Sequence, residues 1–245
     1  MIKRIWILTL FPEFFKPLLE CGIAGSALRG ERSDENFHFE VNFVNIRDYS
    51  TTKYKSVDDS PYGGGPGMVM RADILKEALI KGVMEKGSYQ SLDQLHVVYT
   101  SPRGKVWNNK VAREFGSGVL SSPDKDVVFV CGRYEGIDER FLKQYVNEYF
   151  SIGDYVLTGG EIAVMAMLDS AVRFVPGILG NKLSSVEDSF EDGMLEYPQY
   201  TKPREFDGMS VPDVLVEGNH KKILEWQKEQ KLLMTEKLRP DLLKK

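Results

Sequence analysis

The sequence predicts an α/β domain built on a parallel sheet flanked by helices, followed by a small, mostly helical C-terminal domain. Four short runs of apolar and β-branched residues are nearly continuous rather than alternating, which is typical of strands buried on both faces. Helical patterns lie between these runs, and strands that alternate with helices indicate an α/β fold. After about residue 180 the chain becomes polar and acidic, which indicates a linker before the second domain.

The elements follow from these patterns in chain order. We predict strands at residues 5–10, 39–44, 95–100 and 127–131, and a further strand-like run that ends at Thr158. We predict helices at residues 72–85, 110–114, 139–145 and 161–170, and a helical tail from Asn219 onward. The predicted division is a first domain at 1–179, a linker at 180–187 and a C-terminal helical domain at 188–245.

Composition excludes several classes of protein. The 245 residues are 42% hydrophobic and 28% charged, which argues against disorder, and the net charge of -4 argues against a binder dominated by phosphate neutralisation. Two cysteines, Cys21 and Cys131, form no disulfide framework and indicate a reducing, cytoplasmic setting, with Cys131 expected as a buried, inert thiol. No run reaches the roughly 20 apolar residues of a membrane helix, so we expect a soluble protein.

Metal and hydrolase chemistry are also disfavoured. The three histidines have no metal-ligand spacing, and no G-x-S-x-G nucleophile elbow occurs. We therefore predict no metal-ligating residue and neither a zinc enzyme nor a Ser-His-Asp hydrolase.

The segment SPYGGGPGM, residues 60–68, raises the question of a phosphate-binding loop. A Walker loop ends in Lys and Ser or Thr, but here Met68 and Val69 follow the last glycine. A dinucleotide-binding loop follows a strand, whereas residues 49–59 are polar and are not predicted as one. Two interpretations stay open: an ordinary multi-glycine turn, or a side-chain-poor loop that lets a flat ligand approach the backbone.

Three glycine-containing turns follow predicted strands, namely SPRG at 101–104, GRYEG at 132–136 and LTGG at 157–160. Ligands collect at the carboxyl ends of parallel strands, so three such turns at one sheet edge predict a pocket. Glu135 is the better functional candidate there, while Asp138 reads as a helix cap. From the residues alone, Arg173 reads as an ion-pair partner and Asp188 as a solvated linker charge.

The sequence contains a long series of motifs in a fixed order. The series consists of LFPEFF, VDDSPYGGGPGM, YTSPRG, VCGRYEGIDER, SIGDYVLTGGE, RFVPGILG, EDSF, YTKP, VPDVL and GNH, and it spans almost the whole chain. In motif content, order and spacing the sequence resembles the bacterial tRNA (guanine-N1)-methyltransferases of the trefoil-knot (SPOUT) superfamily. The resemblance implies that the N-terminal domain is a trefoil-knot domain, and that the protein is a homodimer whose active site is shared across the interface.

The resemblance implies S-adenosylmethionine as the cofactor, held by the glycine turns, with the backbone of Ile152, Tyr155 and Leu157 at the adenine. The implied cofactor residues are Tyr99, Thr100, Ser101, Pro102, Gly132, Tyr134, Glu135, Gly136, Ser151, Ile152, Gly153, Asp154, Tyr155, Val156, Leu157, Gly159 and Gly160. The sequence departs from the family at Thr100, Arg103 and Ser60, which bears on affinity and not on the reaction.

The implied reaction methylates N1 of guanine 37 in tRNA, which supports maintenance of the reading frame. Asp188 matches the general base and Arg173 the cation that stabilises charge at guanine O6, while Asp58, Gly67 and Glu135 match residues that place the flipped base. Among the C-terminal residues, the phosphate contacts considered are Lys221, Lys222, Lys228 and Lys231. A magnesium requirement is associated with the family, although no metal motif demonstrates it. The alternative is a non-catalytic RNA-binding protein that retains a cofactor pocket.

Overall fold

The computed structural model describes residues 1–32, 37–179 and 188–244. The chain divides into two compact units, Met1–Gly180 and Asn181–Lys245. The linker predicted at 180–187 lies outside the described residues.

A five-stranded parallel sheet forms the centre of the first unit. In chain order its strands are β1 (Ile2–Thr9), β2 (His38–Asn45), β5 (Leu95–Val106), β6 (Asp126–Val130) and β7 (Glu148–Ser151). The spatial order is β2-β1-β6-β5-β7. Two short strands, β3 (Asp58–Asp59) and β4 (Val69–Met70), pair antiparallel outside this sheet.

Both faces of the sheet are buried, as the continuous apolar runs predict. Along β1, Ile5 and Ile7 enter the core on one face, while Trp6 and Leu8 enter the core on the other. This follows from the period of two in a strand, which sends successive side chains to opposite faces. A strand covered by helices on both sides therefore has no polar face, and the predicted α/β class with a parallel sheet is confirmed.

Helices cover the two faces. They are α1 (Lys16–Glu20), α2 (Gly22–Leu28), α3 (Ala72–Glu77), α4 (Asn109–Glu114), α5 (Glu139–Tyr145) and α6 (Glu161–Val172). Residues of α2, α4 and α6 lie in the core with Ile5, and residues of α3 and α5 lie in the core with Leu8. Helix α3 continues as a π-helix over Ala78–Glu85 and α4 as a π-helix over Phe115–Leu120. The four predicted helices are confirmed, whereas α1 and α2 were not predicted.

Two local predictions are wrong. The strand-like run ending at Thr158 is a loop, and the real strand β7 ends at Ser151. The SPRG segment is no strand-to-helix turn, since it belongs to β5, whose pairing with β7 is irregular between Thr100 and Lys105.

The second unit contains one long helix, α7 (His220–Leu238), which begins after Asn219 as predicted. The Asn219 side chain caps it by accepting a hydrogen bond from the Lys222 amide at 3.2 Å. A short hairpin precedes it, formed by β8 (Glu205–Phe206) and β9 (Met209–Ser210). Among the described residues, no helix is both long and apolar enough to cross a membrane.

Candidate functional site

The carboxyl ends of three neighbouring strands enclose a cavity of about 210 Å³ in the first unit. Strand β5 contributes its irregular segment, and the loops after β6 and β7 contribute the rest. The lining residues are Tyr99, Thr100, Ser101, Pro102, Gly132, Arg133, Tyr134, Glu135, Gly136, Phe150, Ser151, Ile152, Gly153, Tyr155, Val156, Leu157, Thr158, Gly159, Gly160 and Ala163. The structure thus brings together segments separated by up to about sixty residues, at the sheet edge where α/β proteins hold ligands.

Every predicted cofactor residue except Asp154 lines this cavity. Four lining residues were not predicted, namely Arg133, Phe150, Thr158 and Ala163. Of these, Arg133 carried a usable signal, because an arginine three residues after a buried strand is expected to need a buried partner.

Glycines let the walls of the cavity come close together. A Cβ on Gly160 would lie 2.9 Å from the Cys131 Cα and 3.0 Å from the Gly132 amide nitrogen, and a Cβ on Gly132 would lie 2.8 Å from the Tyr99 hydroxyl. Side chains at these positions would therefore collide with neighbours that are themselves buried. The Thr100 hydroxyl also faces Gly160, and among the described residues it has no hydrogen-bond partner.

A buried ion pair lies under the cavity. The Arg133 Nη2 is 2.9 Å from Glu161 Oε2, and the Glu161 side chain is only 1% exposed. Thr9 donates its hydroxyl to Glu161 Oε1 at 2.7 Å, and Arg133 Nη1 donates to the Thr158 carbonyl at 3.2 Å. The guanidinium also lies over the ring of Phe11, 4.5 Å from its centroid. These contacts connect the loop after β6 to the start of α6 and to β1.

The neighbouring thiol of Cys131 is buried, as predicted. Burial, together with the nearby Glu161 carboxylate, raises the pKa of Cys131 well above its usual value. A neutral, enclosed thiol is a poor nucleophile, so this cysteine fits a packing role.

The glycine-rich segment connects β3 to β4 and lies against the loop after β6. Met70 donates its amide to the Gly136 carbonyl at 2.9 Å, and Glu135 donates its amide to the Met68 carbonyl at 3.0 Å. The Glu135 side chain occupies the space that a Cβ on Gly67 would need, and Gly67 has a φ of +84°, which favours glycine. Gly67 and Glu135 are therefore neighbours, whereas Asp58 pairs with Met70 and does not line the cavity.

This geometry also corrects one expectation. Residues 49–59 were not predicted to contain a strand, yet Asp58–Asp59 forms β3. The phosphate-loop interpretation still lacks support, because β3 leads into a hairpin and not into a helix.

A larger cleft of about 1070 Å³ lies beside this hairpin, and its lining includes Tyr62. Volume alone would favour it as a ligand site, but four of its charged side chains are paired with one another. Arg71 forms a 2.7 Å pair with Asp73, and Arg140 forms a 2.7 Å pair with Asp138, which also caps α5. The smaller cavity has glycine walls and is lined by the predicted cofactor residues, so it is the candidate cofactor site.

Arg173 does not line the cavity. It lies just after α6, half-buried, with its guanidinium 5.9 Å from the ring of Phe174. Helix α6 begins next to the cavity at Glu161 and runs for 12 residues, which places Arg173 about 18 Å along the helix axis.

Asp188 belongs to the second unit, where it begins a compact loop. Its carbonyl accepts a hydrogen bond from the Glu191 amide at 3.4 Å, and its side chain is half-buried. Of the four lysines considered as phosphate contacts, Lys221, Lys222 and Lys228 are exposed, and Lys222 lies 3.7 Å from Glu217. Lys231 is different, because it is bound to Asp192 at 2.5 Å with only 13% of its side chain exposed.

Comparison with known proteins gives concordant matches. The family model described as tRNA (Guanine-1)-methyltransferase TrmD matches residues 3–245. A tRNA (guanine-N(1)-)-methyltransferase of Lactobacillus delbrueckii subsp. bulgaricus is 47% identical over 242 residues, covering 99% of this chain and 89% of the relative. Enzymes of the same name from Staphylococcus carnosus and Alkaliphilus oremlandii are each 45% identical, covering 99% and 98% of this chain and 91% and 92% of the relatives.

Proposed function

The chain belongs to the tRNA (guanine-1)-methyltransferase family, and we propose that it transfers a methyl group from S-adenosylmethionine to N1 of guanine 37 in tRNA. The family is a member of the SPOUT superfamily, so the predicted fold class is confirmed together with the enzyme class. The observation that carries the proposal is the cavity, since three chain segments predicted to hold the cofactor line one space.

The cavity suits S-adenosylmethionine. Its glycine walls admit a flat adenine beside the backbone of Ile152, Tyr155 and Leu157, and Tyr155 and Val156 remain exposed to cover it. When bound, S-adenosylmethionine supplies an electrophilic methyl group on a sulfonium. The residues of this chain then have to orient the guanine and handle its proton and charge.

Neutral guanine carries a proton on N1, so the lone pair needed for attack is not available. We assign removal of that proton to the carboxylate of Asp188, a step that general bases accelerate by roughly 10²–10⁴-fold. As the proton leaves, negative charge develops at guanine O6, and the guanidinium of Arg173 would stabilise it. Glu135, Gly67 and Asp58 would place the flipped base, with Gly67 providing an approach to the backbone.

The length of α6 supports a shared active site. Arg173 comes ten residues after the lining residue Ala163, a rise of about 15 Å along the helix axis, which is farther than one side chain reaches. We therefore propose a homodimer in which Arg173 and Asp188 of one chain serve the cavity of the other. Residues 188–245 would form the C-terminal domain that grips the anticodon arm, with residues 180–187 as the linker and 1–179 as the cofactor domain.

Two further parts of the proposal concern setting and metal. Because tRNA is a cytoplasmic substrate in bacteria, we place the enzyme in the cytoplasm. In the described ranges 1–32, 37–179 and 188–244, no group of three or more His, Cys, Asp or Glu could hold a metal ion. We accordingly assign no step to Mg²⁺.

The test is methyl transfer from labelled S-adenosylmethionine to a tRNA transcript with guanine at position 37 and to a matched transcript with adenine there. Transfer to the first and not to the second is expected. Asp188→Asn should lower the single-turnover rate roughly 10²–10⁴-fold, the range for loss of a general base, while cofactor affinity stays unchanged. The control is Glu225→Gln, which alters an exposed carboxylate of the same unit. Binding of tRNA without product by the unmodified protein would favour the non-catalytic alternative.

A mixing experiment tests the shared site. Asp188→Asn chains keep an intact cavity, and Gly160→Ala chains keep Asp188. At a cofactor concentration too low to fill the Gly160→Ala cavity, heterodimers of the two should regain one working site. If mixing after subunit exchange restores no activity, each chain uses its own Asp188 and the shared arrangement is wrong.

A further inference from the structure

The loop that carries Asp188 is fastened to α7. We propose that Lys231 and Thr235 are positioning residues that hold residues 188–196 in the conformation in which Asp188 can act. The inference rests on the proposed function, because it gives these residues a role through the general base. It replaces the expectation that Lys231 contacts a phosphate of the tRNA.

The first attachment is made by Thr235, which is fully buried. Its hydroxyl accepts a hydrogen bond from the Leu195 amide at 3.0 Å and donates one to the Lys231 carbonyl at 2.7 Å. The Thr235 hydroxyl therefore serves as the hydrogen-bond acceptor of the Leu195 amide. Leu195 is half-buried, and a hydrogen bond of this kind contributes about 0.5–1.5 kcal/mol to holding the loop on α7.

The second attachment is the pair between Lys231 and Asp192. The Lys231 Nζ donates to Asp192 Oδ2 at 2.5 Å, and the lysine side chain is only 13% exposed. Partial burial acts to raise the pKa of Asp192, but hydrogen bonds from Lys231 and from the Met194 amide outweigh it, and the net pKa is lowered. An ammonium held this way has little surface left for a phosphate, which argues against direct tRNA contact.

The loop that carries both attachments is closed on itself. The Phe190 amide donates to the Met194 carbonyl at 2.6 Å, and the Glu196 amide donates to the Ser189 hydroxyl at 3.0 Å. Phe190 has a φ of +77°, an uncommon conformation for a residue with a side chain, which the surrounding contacts have to maintain. Asp188 stands at the start of this closed loop, so fixing residues 192 and 195 on α7 also restricts Asp188.

The position of Asp188 matters because a general base has to lie within hydrogen-bond distance of the proton that it removes. A misplacement of about 1 Å can lower a rate by about 10²-fold, even when it arises away from the reacting atoms. Loss of one attachment out of two should have a smaller effect. We therefore expect Lys231→Met and Thr235→Val each to lower kcat by roughly 10-fold, a fraction of that limit.

The experiment compares single-turnover rates at saturating cofactor and tRNA with the affinities for each. Lys231→Met and Thr235→Val should lower the rate while the affinities for S-adenosylmethionine and tRNA stay within about twofold. Lys231→Arg should retain most of the rate, because it keeps the charge that Asp192 requires. The control is Lys237→Met, which removes an exposed lysine from the same helix and should change neither quantity.

Two combinations separate positioning from other roles. Exchanging the charges, with Asp192→Lys and Lys231→Asp in one protein, should recover part of the rate that Lys231→Met loses. In an Asp188→Asn background, Lys231→Met should have no further effect, because the group it positions is already gone.

Three outcomes would overturn the inference. A full rate in Lys231→Met would mean that the attachment is not needed. A weaker tRNA affinity with an unchanged saturated rate would make Lys231 a phosphate contact after all. An additive loss in the Asp188→Asn background would show that Lys231 acts elsewhere. If instead Asp188→Asn alone remains active, the failure lies in the base assignment of the proposed function.

Discussion

Arg133→Met removes the positive charge from the buried pair under the cavity and keeps an unbranched side chain. Glu161, which is 1% exposed, would then be a buried carboxylate whose 2.9 Å partner has gone. Breaking one side of a buried pair costs about 3–5 kcal/mol, mainly through the charge left behind. For a unit of this size each kcal/mol lowers Tm by about 2–4 °C, so we expect a fall of roughly 6–20 °C.

The same geometry predicts that removing both charges is much milder. Arg133 Nε and Glu161 Oε2 have no hydrogen-bond partner in the described part of the chain, so the pair is imperfectly satisfied. Such a pair adds little net stability compared with neutral groups of similar shape. Arg133→Met combined with Glu161→Gln should therefore recover about 2 kcal/mol or more of the loss, while glutamine can still accept from Thr9.

Urea unfolding followed by near-ultraviolet circular dichroism measures these differences. Arg103→Met is the matched control, since the Arg103–Glu139 pair is equally close at 3.0 Å but its side chains are 64% and 49% exposed. That control should lose at most about 1 kcal/mol. A loss below about 1 kcal/mol in Arg133→Met, or an equal loss in the control, would refute the assignment of burial as the cause.

Two further predictions concern the cavity and the opposite end of the sheet. Gly160→Ala should weaken S-adenosylmethionine binding at least about tenfold in a titration, because its Cβ would meet backbone atoms 2.9 and 3.0 Å away. The control is Gly118→Ala, which has open space around the new Cβ and should bind the cofactor normally. Lys3 is buried, and desolvation lowers its pKa to about 8. Between pH 8 and 10.5 the unfolded chain thus binds more protons than the folded chain. The free energy of unfolding relative to Lys3→Met, measured by urea titration, should therefore rise with pH across that window. A difference that does not change with pH would contradict this prediction.

The sheet was predictable because its strands carry their environment in their composition. Residues 5–10 are apolar except for Thr9, and a run this nearly continuous is typical of a strand buried on both faces. The strand-like run ending at Thr158 was misassigned for a related reason. Tyr155 and Val156 are apolar but 55% and 85% exposed, because they stand at the mouth of the cavity. Hydrophobicity alone cannot tell a residue that faces a core from one that faces a binding site.

The glycine-rich segment shows a second limit. The residues excluded a phosphate loop but could not choose between a plain turn and a ligand-facing loop. The choice depends on what lies opposite, and only the fold places Glu135 against Gly67, 68 residues away in the chain. Asp58 and Asp59 have low strand propensity, so their pairing with Val69–Met70 is imposed by the surrounding structure.

The lysines of α7 make the same point for function. Lys228 and Lys231 look alike in the sequence, since each is a basic residue in a Lys/Glu-rich helix. The fold separates them by placing Asp192, 39 residues earlier, beside Lys231 and leaving Lys228 exposed. A charge already bound by a carboxylate is a poor partner for a phosphate, because binding the phosphate requires breaking the existing pair. Burial and pairing, which no local pattern encodes, therefore distinguish the lysine held against residues 188–196 from the one whose side chain stays exposed.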